Sequence, residues 1–584
     1  MNKNTILAIV LSTVVVVASI FLQSRFMPKT PAKPENSVAE NVVSEPTNDK
    51  AAEEIKNLGI KSVKEVTEEK QIVVKTSKTE VVLTNKGGDI ISYRLTDHID
   101  VDTKDGVQMV DNVSEFNRAC AVAFGKNYNA KILNELFNFS QPDEKTYLFT
   151  KNFVTTDDEG KNHKVTFGKR YTFEDDYMFK LEILFHSDDE TEFSYTLRTS
   201  PQIGPHFNPK LNRYENRQFI SFNGNKAKRQ IIGNKPEIKL YGKEYLWNGI
   251  GGKYFEEILI PENINSMDYS YYSNIVEVNN YANAQVISIR KPVKATDLKD
   301  TYYMYFGPRN EKDLKIYNSS EKNVWNLSGL RLTESLNSNG WLGWLETILK
   351  WIMEVINKVV HNWGISIIIM TILIKLAMFP MTKNQSMSTL KMQEIQPKVQ
   401  SVQNKYKDNP QKMQQEMAKV YKDVGYNPMS GCLPMLVQFL ILWSMYNLFN
   451  NYFEFRGSSF IPYWIEDLSS GDSIYVFKFN IPFFGNHLRI LPFIYLASQL
   501  FFGKITNMGG TAGAAGSSQT QMKMMMYGMP ILFFVLFYNA PSGLLLYWTV
   551  SNVFQMIQQI IINKAMKSKK AEISTKKKQI MGVI

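Results

Sequence analysis

Hydrophobic and polar positions divide this chain into two unlike halves. Between about residues 70 and 325, apolar residues come in short runs that alternate with polar ones. The clearest is 177–185, where Tyr177, Phe179, Leu181, Ile183 and Phe185 share one face and Lys180 and Glu182 the other. That is the period of a half-buried strand. Further strand-like runs lie at 72–74, 80–83, 90–93 and 147–149, with Asn, Asp, Gly and Pro between them. Gly87-Gly88 reads as a tight turn between two of these strands. Many short strands at this spacing predict a large β-sandwich. The aromatic group Tyr241, Tyr245, Trp247, Tyr254 and Phe255 reads as core rather than as a ligand groove.

Beyond residue 340 the period changes. Leu342, Leu345, Leu349, Ile352, Ile356 and Val360 recur at steps of three and four. Trp341, Trp344, Ile348, Trp351, Val355 and Val359 widen that face, and Glu346, Lys350, Glu354, Asn357 and Lys358 take the other positions. This predicts an amphipathic helix lying in a membrane interface. The stretch 363–382 is apolar and long enough to cross a bilayer, which takes roughly 20 residues. It nevertheless holds Lys375. A buried charge at a span centre costs at least ~2.5 kcal/mol and must snorkel, pair or face a wet cavity. Four more spans are expected, near 433–452, 489–505, 524–537 and 543–562. Between the first two spans of the core, Met392, Ile395, Val399, Val402 and Tyr406, then Met413, Met417, Val420 and Val424, follow helical spacing around Asp408-Asn409-Pro410. They predict an antiparallel helical hairpin whose soft Met face suits a partner or client. Residues 6–22 form another apolar run; Arg25, Phe26 and Pro28 follow it rather than a small-residue cleavage site, which favours an uncleaved anchor.

The resulting division is an anchor at 1–26, a Pro/Glu/Lys-rich disordered tether at 27–66 and a β-sandwich at 67–335. An interfacial helix at 340–361 follows, then a span at 362–382 and the hairpin at 383–430. Further spans occupy 431–563, and a basic tail 564–584. Net charge is +11, much of it lysine beside the expected spans. That fits cytoplasmic anchoring by the positive-inside rule better than nucleic-acid binding. Both termini then lie in the cytoplasm and the β-sandwich outside. The two cysteines, Cys120 and Cys432, fall on opposite sides of the membrane in this topology. The six histidines are scattered without ligand spacing, and no Walker-type phosphate loop occurs, so no metal or other cofactor is expected. No grouping of carboxylates or of Ser, His and Asp marks an enzyme.

The expected spans share a polar layer. Gln438 lies six residues from Cys432, Gln499 six from Ile505 and Gln555 seven from Ile562, each counted from a cytoplasmic end; Lys375 is at the same depth. Thr371 is one turn before Lys375. Trp548, Asn552, Gln555 and Gln559 follow one helical face, and Ser498 and Ser551 add hydroxyls. No Asp or Glu occurs within the apolar core of these five spans. A water-filled groove open to the cytoplasm would keep Lys375 charged and receive polar parts of a client. Amides as glue between packed helices account for only part of the layer. Two other readings are a transporter, for which paired broken helices are missing, and a Ser–Lys protease, for which Ser366 and Ser386 lie too far along the chain.

At these residues the chain resembles the YidC-type membrane-protein insertases, with their mitochondrial Oxa-type and chloroplast Albino-type relatives, and most of all the form from bacteria with two membranes. The resemblance rests on Asn362-Trp363-Gly364, Phe379-Pro380-Met381-Thr382-Lys383, Gln396-Pro397-Lys398, Gly431-Cys432-Leu433-Pro434 and Pro541-Ser542-Gly543-Leu544. Asn85-Lys86-Gly87-Gly88-Asp89 and Lys253-Tyr254-Phe255 extend it into the first half. It implies five core transmembrane helices, an N-terminal anchor helix and a periplasmic β-sandwich in the cell inner membrane. It implies an insertase and chaperone that moves nascent membrane proteins from the cytoplasm into the inner membrane, alone or with the Sec translocon. The groove would be lined by Thr371, Lys375, Gln438, Ser498, Gln499, Trp548, Asn552 and Gln555. The hairpin, with Met392, Ile395, Met413 and Met417, would dock clients and the signal recognition pathway. The basic tail would touch the ribosome, the one nucleic-acid-bearing partner expected, and lipids would surround the spans. The family's groove cation is usually arginine; here it is lysine, which lacks the bidentate fork.

Overall fold

The computed structural model describes residues 61–581 apart from 63–65, 101–102, 112, 116, 129, 157–161, 201–202, 205–216, 233–237, 244, 274–283, 337–341, 408, 424–427, 483 and 508–526. The expected anchor and nearly all of the tether therefore lie outside the described residues.

The first half folds as antiparallel sheets. A ten-stranded sheet runs through Lys61–Ser62, Thr146–Thr156, Asn162–Phe173, Met178–Phe193, Val293–Pro308, Phe255–Pro261, Trp247–Gly251, Gln218–Phe222 and Ala227–Ile231. Asn138–Asp143 pairs beside Thr146–Thr156. A five-stranded sheet joins Ile238–Lys243, Met267–Ser273, Gln285–Arg290, Tyr195–Arg198 and Val122–Phe124. A four-stranded meander runs from Gln71–Lys75 through Thr79–Thr84 and Asp89–Ile99 to Gly106–Val110. One continuous apolar core holds these sheets together. Phe179, Leu181, Ile183 and Phe185 point into it, as do four of the five aromatic residues, Tyr245, Trp247, Tyr254 and Phe255. The side chain of Tyr241 lies outside the described residues.

The turn at Gly87-Gly88 requires glycine. Both residues have positive φ, +73° and +63°, and a Cβ on Gly87 would lie 2.5 Å from Leu133 O. The turn delivers Asp89 into the core, where it pairs with Arg118 Nε at 2.8 Å and with Lys169. Lys169 also donates to Cys120 O at 2.8 Å, and Tyr171 OH to Gly88 O at 2.7 Å. Burial pushes the Lys169 ammonium below its usual range. The glycine turn and the ionic knot are thus one structural unit.

Helices follow: α1 Glu311–Lys315, α2 Gly343–Val360, α3 Trp363–Ala377, α4 Phe379–Lys405, α5 Pro410–Asp423, α6 Pro428–Asn451, α7 Leu491–Asn507, α8 Met529–Phe537 and α9 Ser542–Met581. A second apolar core gathers α2, α3, α6, α7 and α9. Among the described residues no single helix is long and apolar enough to cross a membrane; α3 with the first part of α4 is so only as a pair bent by 56°. The continuous span expected over 362–382 is therefore broken at Met378. Pro380 supplies the reason: it has no N–H for the carbonyl four residues back, and its ring crowds that carbonyl, so proline is placed in the first turn of a new helix. The hairpin's first helix accordingly starts at Phe379, not after Lys383, and runs through Pro397 to Lys405.

Helix α2 splits its apolar residues between two directions. Leu342, Leu349 and Met353 are buried, while Trp344 and Trp351 are 62% and 63% exposed beside Ile348, Val355 and Val359. Trp341 lies outside the described residues. Glu346, expected on the polar face, is buried instead and accepts a hydrogen bond from Asn447 Nδ2 of α6 at 2.9 Å. The helix lies between two partners, so its inward face carries this polar contact as well as apolar packing. Glu354 similarly accepts from Tyr452 OH at 2.8 Å.

The two halves meet through short contacts at one end of the bundle. Phe453 packs on the β-domain core, with ring centroids 5.5 Å from His98 and 5.9 Å from Phe255. Arg456 donates to Ile99 O at 2.7 Å, and its guanidinium lies 4.9 Å from the Phe255 centroid. Lys350 of α2 pairs with Glu311 of α1 at 3.0 Å.

Candidate functional site

Lys375 sits two residues before the end of α3, at the bend. A cation there is favoured by the helix's negative end. Its side chain is buried, and Nζ donates to Gln555 Oε1 of α9 at 3.1 Å. The backbone of the same residue is also held: Gln558 Nε2 donates to Lys375 O at 3.1 Å. The last carbonyls of a helix lack intrahelical donors, so a side-chain amide at that point satisfies a group that lipid could not. One turn on, Ser386 Oγ of α4 donates to Gln559 Oε1 at 3.0 Å. The bent pair α3–α4 is thereby fastened to α9 along the bend by three side-chain bonds.

A second group forms between α9 and α7. Asn552 Nδ2 donates to Ser498 Oγ at 3.0 Å, and Ser498 Oγ donates to Tyr495 O at 2.7 Å. Gln499 turns to its own helix and donates to Tyr495 OH at 3.0 Å. Trp548 stacks obliquely on Tyr495 (5.5 Å between centroids) and edge-on to Phe537 (4.8 Å). Thr371 is buried, and its hydroxyl returns to Ile367 O at 2.6 Å. Gln438 is half-buried on α6; no hydrogen bond among the described residues joins it to Lys375 or Gln555. The expected layer is thus two hydrogen-bonded groups, both centred on α9, with Thr371, Gln499 and Gln438 at their margins.

Gln558 and Ser386 are the site residues that the sequence reading passed over. Gln558 follows Gln555 by three and so shares its face; attention to the helical row would have found it. Ser386 could not be placed without the bend. Trp548 Nε1 and Gln558 Oε1 are buried with no hydrogen-bond partner among the described residues. Ser444 Oγ and Thr549 Oγ1 share that condition. Such atoms are costly in an apolar interior unless something fills their valence.

The opposite end of the bundle is closed. Phe455, Ile465 and Leu468, from the chain that follows α6, are fully buried in the helical core. Gly543 N donates to Leu468 O at 2.9 Å, and Ser542 Oγ donates to Asp467 O at 2.7 Å. Phe460 lies against Gly364 so closely that a Cβ there would be 2.2 Å from its ring. Asp472 accepts from the backbone N–H groups of Ile490 and Leu491 at 2.8 and 2.9 Å, capping α7.

For the hairpin, Ile395 is buried, Met413 and Met417 are half-buried, and the side chain of Met392 lies outside the described residues. Helix α4 packs against both α5 and α6. The face carrying Ile395 is therefore covered by the protein itself.

A helical bundle with an apolar core and a buried lysine among amides, closed at one end and carrying a domain of antiparallel sheets at that end, defines the architecture. Residues 71–355 match the family described as the YidC periplasmic domain, and residues 355–570 the family described as 60Kd inner membrane protein. The membrane protein insertase YidC of Treponema denticola is 40% identical over 588 residues, covering 97% of this chain and all of the relative. That of Treponema pallidum is 34% identical over 634 residues, covering 97% of this chain and 99% of the relative. A crystal structure of an active YidC insertase with its first transmembrane domain resolved aligns over 87% of this chain and 96% of that one, at 19% identity and a TM-score of 0.35. The chain belongs to the YidC family of membrane protein insertases.

Proposed function

We propose that this chain inserts and folds integral membrane proteins, passing apolar segments from the cytoplasm into the inner membrane through a groove along α3, α7 and α9. Five core spans enclose that groove, both termini are cytoplasmic, and the β domain is periplasmic. It works alone or beside the Sec translocon, on chains delivered by the ribosome and the signal recognition pathway. No covalent catalysis is involved. The observation that carries the reading is the placement of Lys375. Its buried charge faces amides, and an ammonium has three donors, so a client's polar group can join Gln555 there without displacing a salt bridge. Unpartnered Trp548 Nε1 and Gln558 Oε1 offer further hydrogen bonds. The closed end beside the β domain favours entry from the opposite side.

The Ser–Lys protease reading is disfavoured by the same geometry. Ser386 Oγ donates to Gln559 and Ser366 Oγ to Asn362 O, at 3.0 and 2.9 Å. Depletion and replacement in vivo tests both readings. Insertion of a small single-span client with an acidic tail is followed by protease accessibility with wild type, Lys375→Arg and Lys375→Ala. Insertion is expected with Arg and reduced with Ala. Equal insertion by all three removes the charge from the mechanism. Activity lost with Arg as well as Ala favours a lysine acting as a base, since arginine cannot give up its proton. Insertion untouched by depletion overturns the insertase reading for this client.

A further inference from the structure

Between α6 and α7 the chain forms a two-stranded hairpin, Tyr475–Ile481 paired with Gly485–Leu488. No third strand joins it among the described residues, and an isolated hairpin in water is marginal at best. Its composition is also wrong for water. Tyr475, Phe477 and Phe479 occupy alternate positions, with a register shift before Ile481. The rings of Tyr475, Phe477 and Phe479 follow one another at 5.1 and 5.4 Å. Tyr475 and Phe479 are 59% and 63% exposed, with Ile474 and Val476 exposed beside them. Such a patch calls for a covering surface.

The hairpin's position says what covers it. Phe484 packs on Tyr538 and Phe534 at the end of α8, at 4.7 and 6.0 Å. Tyr538 OH donates to His487 O at 3.1 Å. Arg489 Nε donates to Asn539 Oδ1 at 3.0 Å and Nη1 to Asp472 O at 2.7 Å. The ribbon is thus fixed at the closed end of the bundle, where α8 ends and α7 begins. Further exposed apolar side chains lie close by: Ile490 just before α7, Phe493 and Ile494 in its first turn, and Ile531 and Val535 on α8. The same end carries the exposed tryptophans of α2. Aromatic side chains gather at the level of lipid headgroups, and exposed Lys478, between Phe477 and Phe479, puts a cation where phosphates lie.

We propose that this hairpin is a second interfacial anchor, setting Tyr475, Phe477 and Phe479 into the outer leaflet beside α7 and α8. It rests on the membrane reading of the helical bundle. With α2 it holds the closed end of the bundle at a fixed depth from two sides, which keeps the polar layer at its level in the opposite leaflet.

The test uses the full chain, with Cys432→Ser and buried Cys120 left in place, reconstituted in phosphatidylethanolamine/phosphatidylglycerol vesicles. Single cysteines at Phe479→Cys and Tyr475→Cys receive an environment-sensitive fluorophore. Asp188→Cys on the β domain serves as the aqueous reference and Ile557→Cys on α9 as the lipid reference. The expected result is a blue shift at 479 and 475, quenching by phospholipids carrying a nitroxide high on the acyl chain, and loss of quenching by iodide. Iodide quenching at 479 and 475 equal to that at 188 overturns the proposal. Protection from iodide without quenching by the lipid nitroxide also overturns it, because a protein surface then covers the hairpin. A label at 557 that escapes lipid quenching brings down the membrane reading itself, whatever the hairpin does.

Discussion

The ammonium of Lys375 hydrogen-bonds an amide oxygen, that of Gln555 at 3.1 Å, rather than a carboxylate. A neutral acceptor orients the cation and leaves its charge uncompensated. The lysine's own carbonyl is held by Gln558 from the same helix, α9. One residue is therefore fixed at both ends by one partner helix, and its charge remains available.

Gln558→Leu should loosen α9 from the α3–α4 bend. It removes the donor to Lys375 O and leaves a helix-end carbonyl unsatisfied, at a cost of roughly 1 kcal/mol. The measurement is thermal unfolding of the detergent-solubilised chain. Gln555→Leu and Lys375→Met should be non-additive in a double-mutant cycle, since they share one bond. Additive losses would mean that the observed bond contributes nothing.

Gly364→Ala should open the closed end. The new Cβ meets the Phe460 ring and, at 2.5 Å, its Cβ, which is bonded to the backbone and cannot swing aside. Overpacking of this kind costs about 1–3 kcal/mol. Outside protease should then cut within residues 453–472, where wild type resists. Adding Phe460→Ala should restore resistance; failure to do so would assign the defect to the helix backbone.

Asp89→Asn should destabilise the β domain strongly. Arg118 and Lys169 would then face each other in the core with no anion, and breaking a buried ion pair from one side costs about 3–5 kcal/mol. The denaturant midpoint, followed by tryptophan fluorescence, should fall. Lys169→Met in the same chain should recover part of the loss. A single variant with an unchanged midpoint contradicts the ionic knot.

The β domain should lose stability as pH rises from about 4.5 to 7. Burial raises the Glu256 carboxyl to about 7, against the partial opposing pull of Arg309 at 3.2 Å. A carboxyl raised on folding binds more protons in the native state than in the unfolded one between those values. Its contribution is full below the unfolded pKa and gone above the folded one. Each pKa unit corresponds to about 1.4 kcal/mol. Glu256→Gln should flatten the dependence of the melting temperature over this window. An unchanged slope would show that another group carries it.

Much of this architecture is legible from periodicity. Alternation at 177–185 predicts a strand with its apolar face inward, and Met178–Phe193 forms one. Steps of three and four after Leu342 predict the helix that runs from Gly343 to Val360. What periodicity does not carry is direction. Glu346 looks solvent-facing by residue type, yet α6 offers Asn447 to receive it. Ile395 looks like a free docking face, yet the protein covers it.

The sequence by itself determined which residues are polar among apolar ones and how far each lies from a helix end, because both are properties of one helix and follow from its pitch. It also determined the proline at which the lysine's helix breaks, though the break becomes visible only as a 56° bend. The tertiary structure alone decided which polar residues meet. Gln555 and Gln558 reach Lys375, Asn552 reaches Ser498, and Gln438 at a similar depth reaches neither group, because contact between helices depends on rotation and crossing angle. Depth is written in a single segment; partnership is set only when several segments pack.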